Sequence, residues 1–501
     1  MNSHNFEHGD WIGKWANYLP GKIAVKEAEN QRSISFSDLH KLSLHIASYL
    51  INNFHLKKSD RIALLTENCI ENIILFSCAQ KFGFCLVPLN YRLSSAEISG
   101  VLSDCEPSLV IYENKFKYLL EKWKSSEPTV KQVEIDDLLQ EPNMYIDLTP
   151  ESLSVHDPAF ILYTSGSTGN PKGVIYTHAM MFWNSINTAL SISISSETRT
   201  VNCMPPFHTG GWNVLTTPLL HFGGYTCLVK RFDPAFILQL LQSERPDVFM
   251  AVPTMLKMIA DQPDFVNADL SSITYILVGG EPMPIPLIEK WHEKGVKIRQ
   301  GFGMTEVGPN LTSLHHEYAI SKKGSIGKPN FYLDVRIVDE SDNDVKVGQA
   351  GELVFRGPVV TPGYWKNESA TREVFKNGWF HTGDMARMDD EGFLYIVDRI
   401  KNMYISGGEN VYPAEIEKIL LKHTSISEAV VVARKHEKWG ETGIAFVVLK
   451  PNHSISEQDI LDYCKENLAK FKVPSDVYFK DTLPKTDSGK IDRKWIKNNL
   501  L

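Results

Sequence analysis

Tyr163-Thr-Ser-Gly-Ser-Thr-Gly-Asn-Pro-Lys-Gly173 packs hydroxyls, glycines and one lysine into a single loop, directly after the apolar segment Phe160-Ile-Leu162. That composition is suited to gripping phosphate. Gly166 and Gly169 let backbone N–H groups converge on an anion, the hydroxyls of Thr164, Ser165, Ser167 and Thr168 add donors, and Lys172 adds positive charge. The loop is not a Walker A motif. There the lysine is followed directly by a Ser or Thr that holds magnesium, whereas Lys172 follows Pro171 and precedes Gly173. A flexible surface loop would account for the glycines but not for the lysine and proline beside them.

The segments around this loop alternate between helical and strand patterns. Residues 35–50 place Leu39, Leu42, Ile46 and Leu50 at helical spacing, and an apolar run at 61–65 follows. Residues 67–82 read as a second helix, and 85–89 and 109–112 as buried strands. The rhythm returns at 247–252, 274–278 and 296–300, each followed by a Gly- or Pro-bearing loop. Such alternation predicts an α/β fold with a parallel sheet covered by helices, and loops after its strands are where ligands bind. From about residue 333 the texture shifts to short alternating segments, 335–338, 352–355 and 393–397, which predict a β-rich subdomain. A polar stretch at 398–409 interrupts them. Beyond it, 413–423 and 456–471 read as helices and 429–433 and 444–449 as strands. The expected organisation is a large N-terminal domain, residues 1–399, and a small α+β C-terminal domain, residues 400–501.

Bulk properties set the outer bounds. A chain of 501 residues exceeds what one hydrophobic core serves, so at least two domains are expected. The net charge of −8, with basic residues scattered along the chain, offers no electrostatic footprint for nucleic acid or an anionic membrane; a small-molecule substrate fits better. Cys69, Cys78, Cys85, Cys105, Cys203, Cys227 and Cys464 are odd in number, widely spaced and mostly set in apolar segments, without a CxxC pair. That usage predicts reduced, buried thiols and a cytoplasmic location, not a disulfide framework or a zinc site. The first twenty residues lack the basic-then-apolar profile of a signal peptide, and no apolar run is long enough to span a membrane.

Further motifs follow the phosphate loop in order: Val278-Gly-Gly-Glu-Pro282, Gly301-Phe-Gly-Met-Thr-Glu306, Thr382-Gly-Asp384, Asp398-Arg-Ile-Lys401, Ser406-Gly-Gly-Glu-Asn410 and Pro484-Lys-Thr-Asp-Ser-Gly-Lys490. With them the chain resembles, over nearly its whole length, the adenylate-forming superfamily of acyl-CoA synthetases, non-ribosomal adenylation domains and luciferases, with the acyl-CoA synthetases nearest. The resemblance implies that ATP and a carboxylic acid form an acyl-AMP with release of pyrophosphate, and that the acyl group then passes to coenzyme A. It implies magnesium as cofactor and a small C-terminal domain that moves between the two half-reactions. A carrier protein or another acceptor in place of CoA stays open, as do a non-catalytic nucleotide-binding regulator and a homodimer. A regulator would be expected to have lost Lys490, Glu306 or Asp384, and all three are present.

The resemblance also implies residue roles, and each makes physical sense where two anions must react. Lys172 and Lys490 would neutralise phosphate charge, Lys490 bridging carboxylate and α-phosphate, and Glu306 would hold magnesium with help from Thr164. Gly279, Gly280, Glu281 and Pro282 would form one wall of a purine slot. Gly301, Phe302, Gly303, Met304 and Thr305 would form the other, Phe302 keeping the stacking face of the family's tyrosine without its hydroxyl. Asp384 and Arg399 would hold the ribose, and Lys401 would be the hinge. Ser406, Gly407 and Gly408 would leave a path for pantetheine, with Trp439 near the CoA nucleotide. In Pro205-Pro-Phe-His-Thr-Gly-Gly-Trp212, His208 would gate the acyl pocket and Gly211 and Trp212 would line it. Val278 and residues 250–258 would extend an apolar tunnel for a fatty or aryl acid, fatty acyl being the first expectation. Near Phe207 and His208 there is none of the carboxylate with which amino-acid-activating relatives hold an ammonium group.

Overall fold

The structure is a computed structural model that describes residues 9–123, 130–139, 152–164, 171–280, 283–406, 409–437, 439–486 and 489–501. The chain forms two compact units: Met1–Val335 with Phe355–Phe380, and Arg336–Val354 with His381–Leu501.

Two sheets organise the first unit. One has the strand order Lys131–Glu134, Leu109–Tyr112, Arg61–Leu65, Cys85–Pro88, Pro158–Thr164, Lys172–Thr177. It is parallel until its last pair, which is antiparallel. The other runs Lys328–Pro329, Gly308–Leu314, Lys297–Met304, Tyr275–Val278, Val248–Ala251, Arg199–Asn202, Tyr225–Leu228, Ile23–Glu27, Ser33–Ser35. Its centre is parallel and its margins antiparallel.

The helix predicted over 67–82 is Ile70–Phe82, and every one of its residues is buried. It has no exposed face because its cluster draws Ala24 and Val25 from one sheet and Ile62, Leu64 and Leu86 from the other. Gly83, at φ +73°, ends it in a left-handed turn. The helix predicted over 35–50 runs Phe36–Phe54, started by the Ser35 hydroxyl accepting from the Asp38 N–H.

In the second unit a sheet orders Glu409–Val411, Tyr404–Ser406, Gly440–Leu449 and Ile426–His436, with Asp476–Phe479 parallel to Gly440–Leu449. The strands predicted at 429–433 and 444–449 are the middle of this long hairpin. The helix predicted over 456–471 ends at Asn467, because Leu468 turns extended at φ −132°, ψ 152°. A third arrangement, Asp334–Val338, Gly351–Arg356, Trp379–Met388 and Phe375–Lys376, with Leu394–Arg399 paired to Trp379–Met388, is the predicted β-rich region. By compactness, residues 381–399 group with residues 400–501. The physical reason is the antiparallel pairing of Trp379–Met388 with Leu394–Arg399. All seven cysteines are buried and unbridged. Among the described residues no helix is long and apolar enough to cross a membrane.

Candidate functional site

In the first unit the hairpin stems set the phosphate residues. Thr164 and Lys172 face each other across the stems, the last pair before the loop. Ser165, Gly166, Ser167, Thr168 and Gly169 lie outside the described residues. The Lys172 ammonium stands 5.1 Å from the centroid of the Tyr364 ring. The Tyr364 hydroxyl donates to Glu306 Oε1 at 3.1 Å, and Glu306 is 8% exposed. Glu306 sits in the one-turn helix Thr305–Val307, where Lys297–Met304 stops and Gly308, at φ +84°, reverses the chain. The Thr361 N–H donates to the Glu306 carbonyl at 2.7 Å. Carboxylate and hydroxyl oxygens, from Glu306 and Thr164, are the hard donors that suit magnesium.

The segments expected to wall the purine slot are brought together by parallel pairing. Val278 stands opposite Gln300, so Gly279 and Gly301 leave adjacent strands at the same level. A Cβ built on Gly279 would come no nearer than 3.8 Å to the Gly301 carbonyl oxygen, so that face is open. Gly303 differs: a Cβ there would lie 2.0 Å from the Pro309 carbonyl oxygen. Its glycine is demanded by the neighbouring strand. Phe302, half-buried, stacks on Phe355 at 6.5 Å. Met304 and Thr305 continue into the Glu306 turn, while Glu281 and Pro282 lie outside the described residues.

The segment expected to line the acid pocket, 205–212, is buried or half-buried throughout. His208 precedes the short helix Thr209–Asn213, its ring 4.6 Å from Phe207, which meets Tyr91 edge-on at 5.0 Å. Trp212 is 3% exposed; its indole N–H donates to the Pro206 carbonyl at 2.8 Å and its ring packs on Phe160 and Phe76. It is packed into the core and held there by a satisfied N–H. Val278 likewise packs in the cluster of Phe249, Ile276 and Ile298. Gly211 serves its own turn, since a Cβ would sit 2.3 Å from the Pro205 carbonyl oxygen. Met258 is 44% exposed. Gly210 opens toward the methyl groups of Met204 and Met250, 3.5 and 3.8 Å from the position of an added Cβ.

In the second unit Asp384 and Arg399 are register partners, and Arg399 Nε lies 2.5 Å from Asp384 Oδ1. Asp384 is 2% exposed, and its other oxygen, Oδ2, is buried with no hydrogen-bond partner among the described residues. A buried carboxylate oxygen with no donor of its own is able to accept hydroxyl hydrogen bonds. The turn before it is held by a residue the sequence reading did not single out. Glu352 accepts from His381 Nδ1 at 2.7 Å and from the Gly383 N–H at 3.0 Å.

Burial raises the Asp384 carboxyl from its ordinary 3.8 to about 6, against the opposing pull of Arg399, Lys490 and Lys401. The native state therefore takes up this proton before the unfolded chain does. The expected outcome has opposite signs for two observables: the unliganded protein loses stability as pH rises from about 4 to about 6, while ATP affinity grows over the same interval as the carboxylate forms. Melting curves and ATP titrations between these limits check it, and Asp384→Asn flattens both profiles.

Lys490 sits in a closed turn. The Thr486 N–H donates to the Lys490 carbonyl at 2.7 Å, Gly489 adopts φ +84°, and Lys485 bridges to Ile491. Lys485 pairs with Glu428 at 2.9 Å on one side, and Arg493 pairs with the Glu417 carboxylate on the other. Lys401, in the one-turn helix Ile400–Asn402, is exposed. Its neighbour Asp398 accepts from the Arg399 N–H at 2.6 Å and the Asn402 amide at 3.1 Å with one oxygen, and from the Ala414 N–H at 2.8 Å with the other. Ser406 pairs with Gly440, which brings it beside Trp439, 39% exposed. Gly407 and Gly408 lie outside the described residues.

The α/β fold and the order of the motifs along the chain are those of the adenylate-forming superfamily. The chain belongs to the AMP-binding enzyme family, which matches residues 12–365; the AMP-binding enzyme C-terminal domain matches residues 415–490. It is 35% identical over 489 residues to a feruloyl-CoA synthase of an Amycolatopsis species, covering 96% of this chain and 97% of that one. It superposes on O-succinylbenzoate coenzyme A synthetase (MenE) from Bacillus subtilis in complex with ATP and magnesium ion with a TM-score of 0.88 and 32% identity, covering 97% and 99% of the two chains. A fatty acyl CoA synthetase of Mycobacterium tuberculosis gives a TM-score of 0.80 and 34% identity, covering 97% of each chain. The class in which the chain stands is that of AMP-forming acid–CoA ligases.

Proposed function

We propose that this protein joins an aromatic or arylalkyl carboxylic acid to AMP, releasing pyrophosphate, and then transfers the acyl group to CoA. The observation that carries the reading is Asp384, a buried carboxylate with one oxygen on Arg399 and the other unpartnered among the described residues. The feruloyl and succinylbenzoate names of the similar proteins support an aromatic acid over the fatty acyl expectation. Lys172 and Thr164 hold the phosphates, Phe302 stacks on adenine across from Gly279 and Gly280, and Lys490 brings the carboxylate and α-phosphate together. Magnesium, held through Glu306, supplies Lewis-acid neutralisation of phosphate charge when bound. His208 gates the acid, Met204, Gly210 and Met250 flank it, and Ser406 and Trp439 receive CoA. Buried, unbridged thiols support a reducing, cytoplasmic setting.

Residues from 400 onward turn about Lys401 between adenylation and thioester formation. Asp398 ties this hinge to the helix Pro413–Leu420. Lys401→Pro is expected to slow thioester formation at least about tenfold while pyrophosphate release changes less, as for hinge positions that must absorb a backbone rotation. Single-turnover assays of each half-reaction check this, and equal slowing of both refutes the hinge.

The function is tested by measuring pyrophosphate release with ATP, magnesium and a panel of cinnamic, arylacetic, benzoic and fatty acids, with and without CoA. Release and thioester with aromatic acids sustain the proposal. Release with fatty acids alone returns the first expectation, release without thioester points to a carrier protein or another acceptor, and no release with any acid points to a nucleotide-binding regulator.

A further inference from the structure

We infer that Tyr364 is a positioning residue that couples the phosphate lysine to the magnesium carboxylate, its ring seating Lys172 and its hydroxyl orienting Glu306. The inference rests on the roles proposed above for those two residues and extends them to a side chain far along the chain from both.

The backbone of Tyr364 is stitched to the hairpin that carries Lys172. Tyr364 bridges antiparallel to Val174, the Trp365 N–H donates to the Gly173 carbonyl at 2.7 Å, and the Ile175 N–H donates to the Gly363 carbonyl at 3.1 Å. The Tyr364 N–H donates to the Thr371 hydroxyl at 3.0 Å. The same segment grips the Glu306 turn, through the Thr361 N–H on the Glu306 carbonyl. The side chain, 8% exposed, packs with Val174 and Ala370 and has little freedom to leave.

From that fixed place the ring faces the Lys172 ammonium at 5.1 Å, and the hydroxyl reaches Glu306 at 3.1 Å. A lysine loses much rotamer entropy when it is pinned on an anion, and an aromatic face beneath the ammonium removes part of that loss beforehand. A carboxylate that binds metal is aimed by the donors around it, and an outer donor sets metal affinity through that aim.

The experiment is isothermal titration of ATP into the acid-free protein, once with magnesium and once with EDTA, for the native chain, Tyr364→Phe, Tyr364→Leu and Glu306→Gln. The ratio of the two dissociation constants measures what magnesium adds to binding. Tyr364→Phe keeps the ring and loses the hydroxyl, so the ratio falls about tenfold while the EDTA constant stays within about twofold. Tyr364→Leu loses both, and the EDTA constant also weakens about fivefold. A ratio unchanged in Tyr364→Phe but lost in Glu306→Gln overturns the coupling and leaves the metal role of Glu306 standing. A ratio unchanged in Glu306→Gln removes that role and the inference with it. Should Tyr364→Leu fail to fold, the Phe variant, which removes a single oxygen, decides the matter.

Discussion

Lys490→Ala is expected to lower acid-dependent pyrophosphate release by about 10²–10³-fold, the scale seen when one preorganised donor to developing charge is removed. Conversion of supplied acyl-AMP and CoA to thioester should change only severalfold. In the first half-reaction a carboxylate oxygen approaches an α-phosphorus that is itself ringed by oxygens, so a cation reaching both partners offsets repulsion that grows along the path. In the second half-reaction a thiol attacks a neutral acyl carbon, and that demand is gone. The turn that presents Lys490 is closed by backbone bonds, by the Lys485–Glu428 pair and by Arg493 on Glu417. Truncating the exposed Lys490 side chain leaves those anchors in place, and the melting temperature should hold. Rapid-quench assays of each half-reaction separate the outcomes. Equal loss of both would mean that Lys490 serves the turn and not the chemistry.

The second large effect contrasts two glycines of the proposed purine slot. Gly303→Ala should destabilise the protein by about 3 kcal/mol or more, because an overpacked position that meets backbone has nowhere to yield. The added Cβ would lie 2.0 Å from the Pro309 carbonyl oxygen, 2.2 Å from its carbon and 2.5 Å from its Cα. The strands Lys297–Met304 and Gly308–Leu314 would have to separate, and with them the turn that carries Glu306. Gly279→Ala meets nothing nearer than the Gly301 carbonyl oxygen at 3.8 Å, so it should fold with a urea midpoint close to that of the native chain. Its methyl group instead enters the slot, and the dissociation constant for ATP should rise at least about tenfold, the effect of a misplaced group worth about 1.4 kcal/mol. Matched unfolding and nucleotide-binding curves test the pair. A stable Gly303→Ala variant would refute the close approach, and undiminished ATP binding by Gly279→Ala would remove Gly279 from the slot.

Much of the fold, and the motifs of the candidate site, were legible because their signals are written locally. The phosphate loop follows an apolar strand by a few residues, Gly279 and Gly280 follow Tyr275–Val278, and Asp384 and Lys490 sit in short motifs. Strand and helix patterns read the same way, since burial on both faces selects continuous apolar runs such as Leu109–Tyr112. Other assignments depended on which distant segments meet. Trp212 beside two glycines carries no signal of its packing on Phe76 and Phe160, which come from a helix and a strand far from it in the chain. Tyr364 and Glu352 carry no local signal of their roles, because each acts through a partner brought near by sheet pairing: Tyr364 along the Lys172–Thr177 stem, Glu352 beside the turn before Asp384. Local spacing records the period of a helix or strand and the residues a ligand needs in sequence. Tertiary pairing alone decides which side chain stands behind another, because that contact depends on register between strands whose separation along the chain leaves no periodic trace.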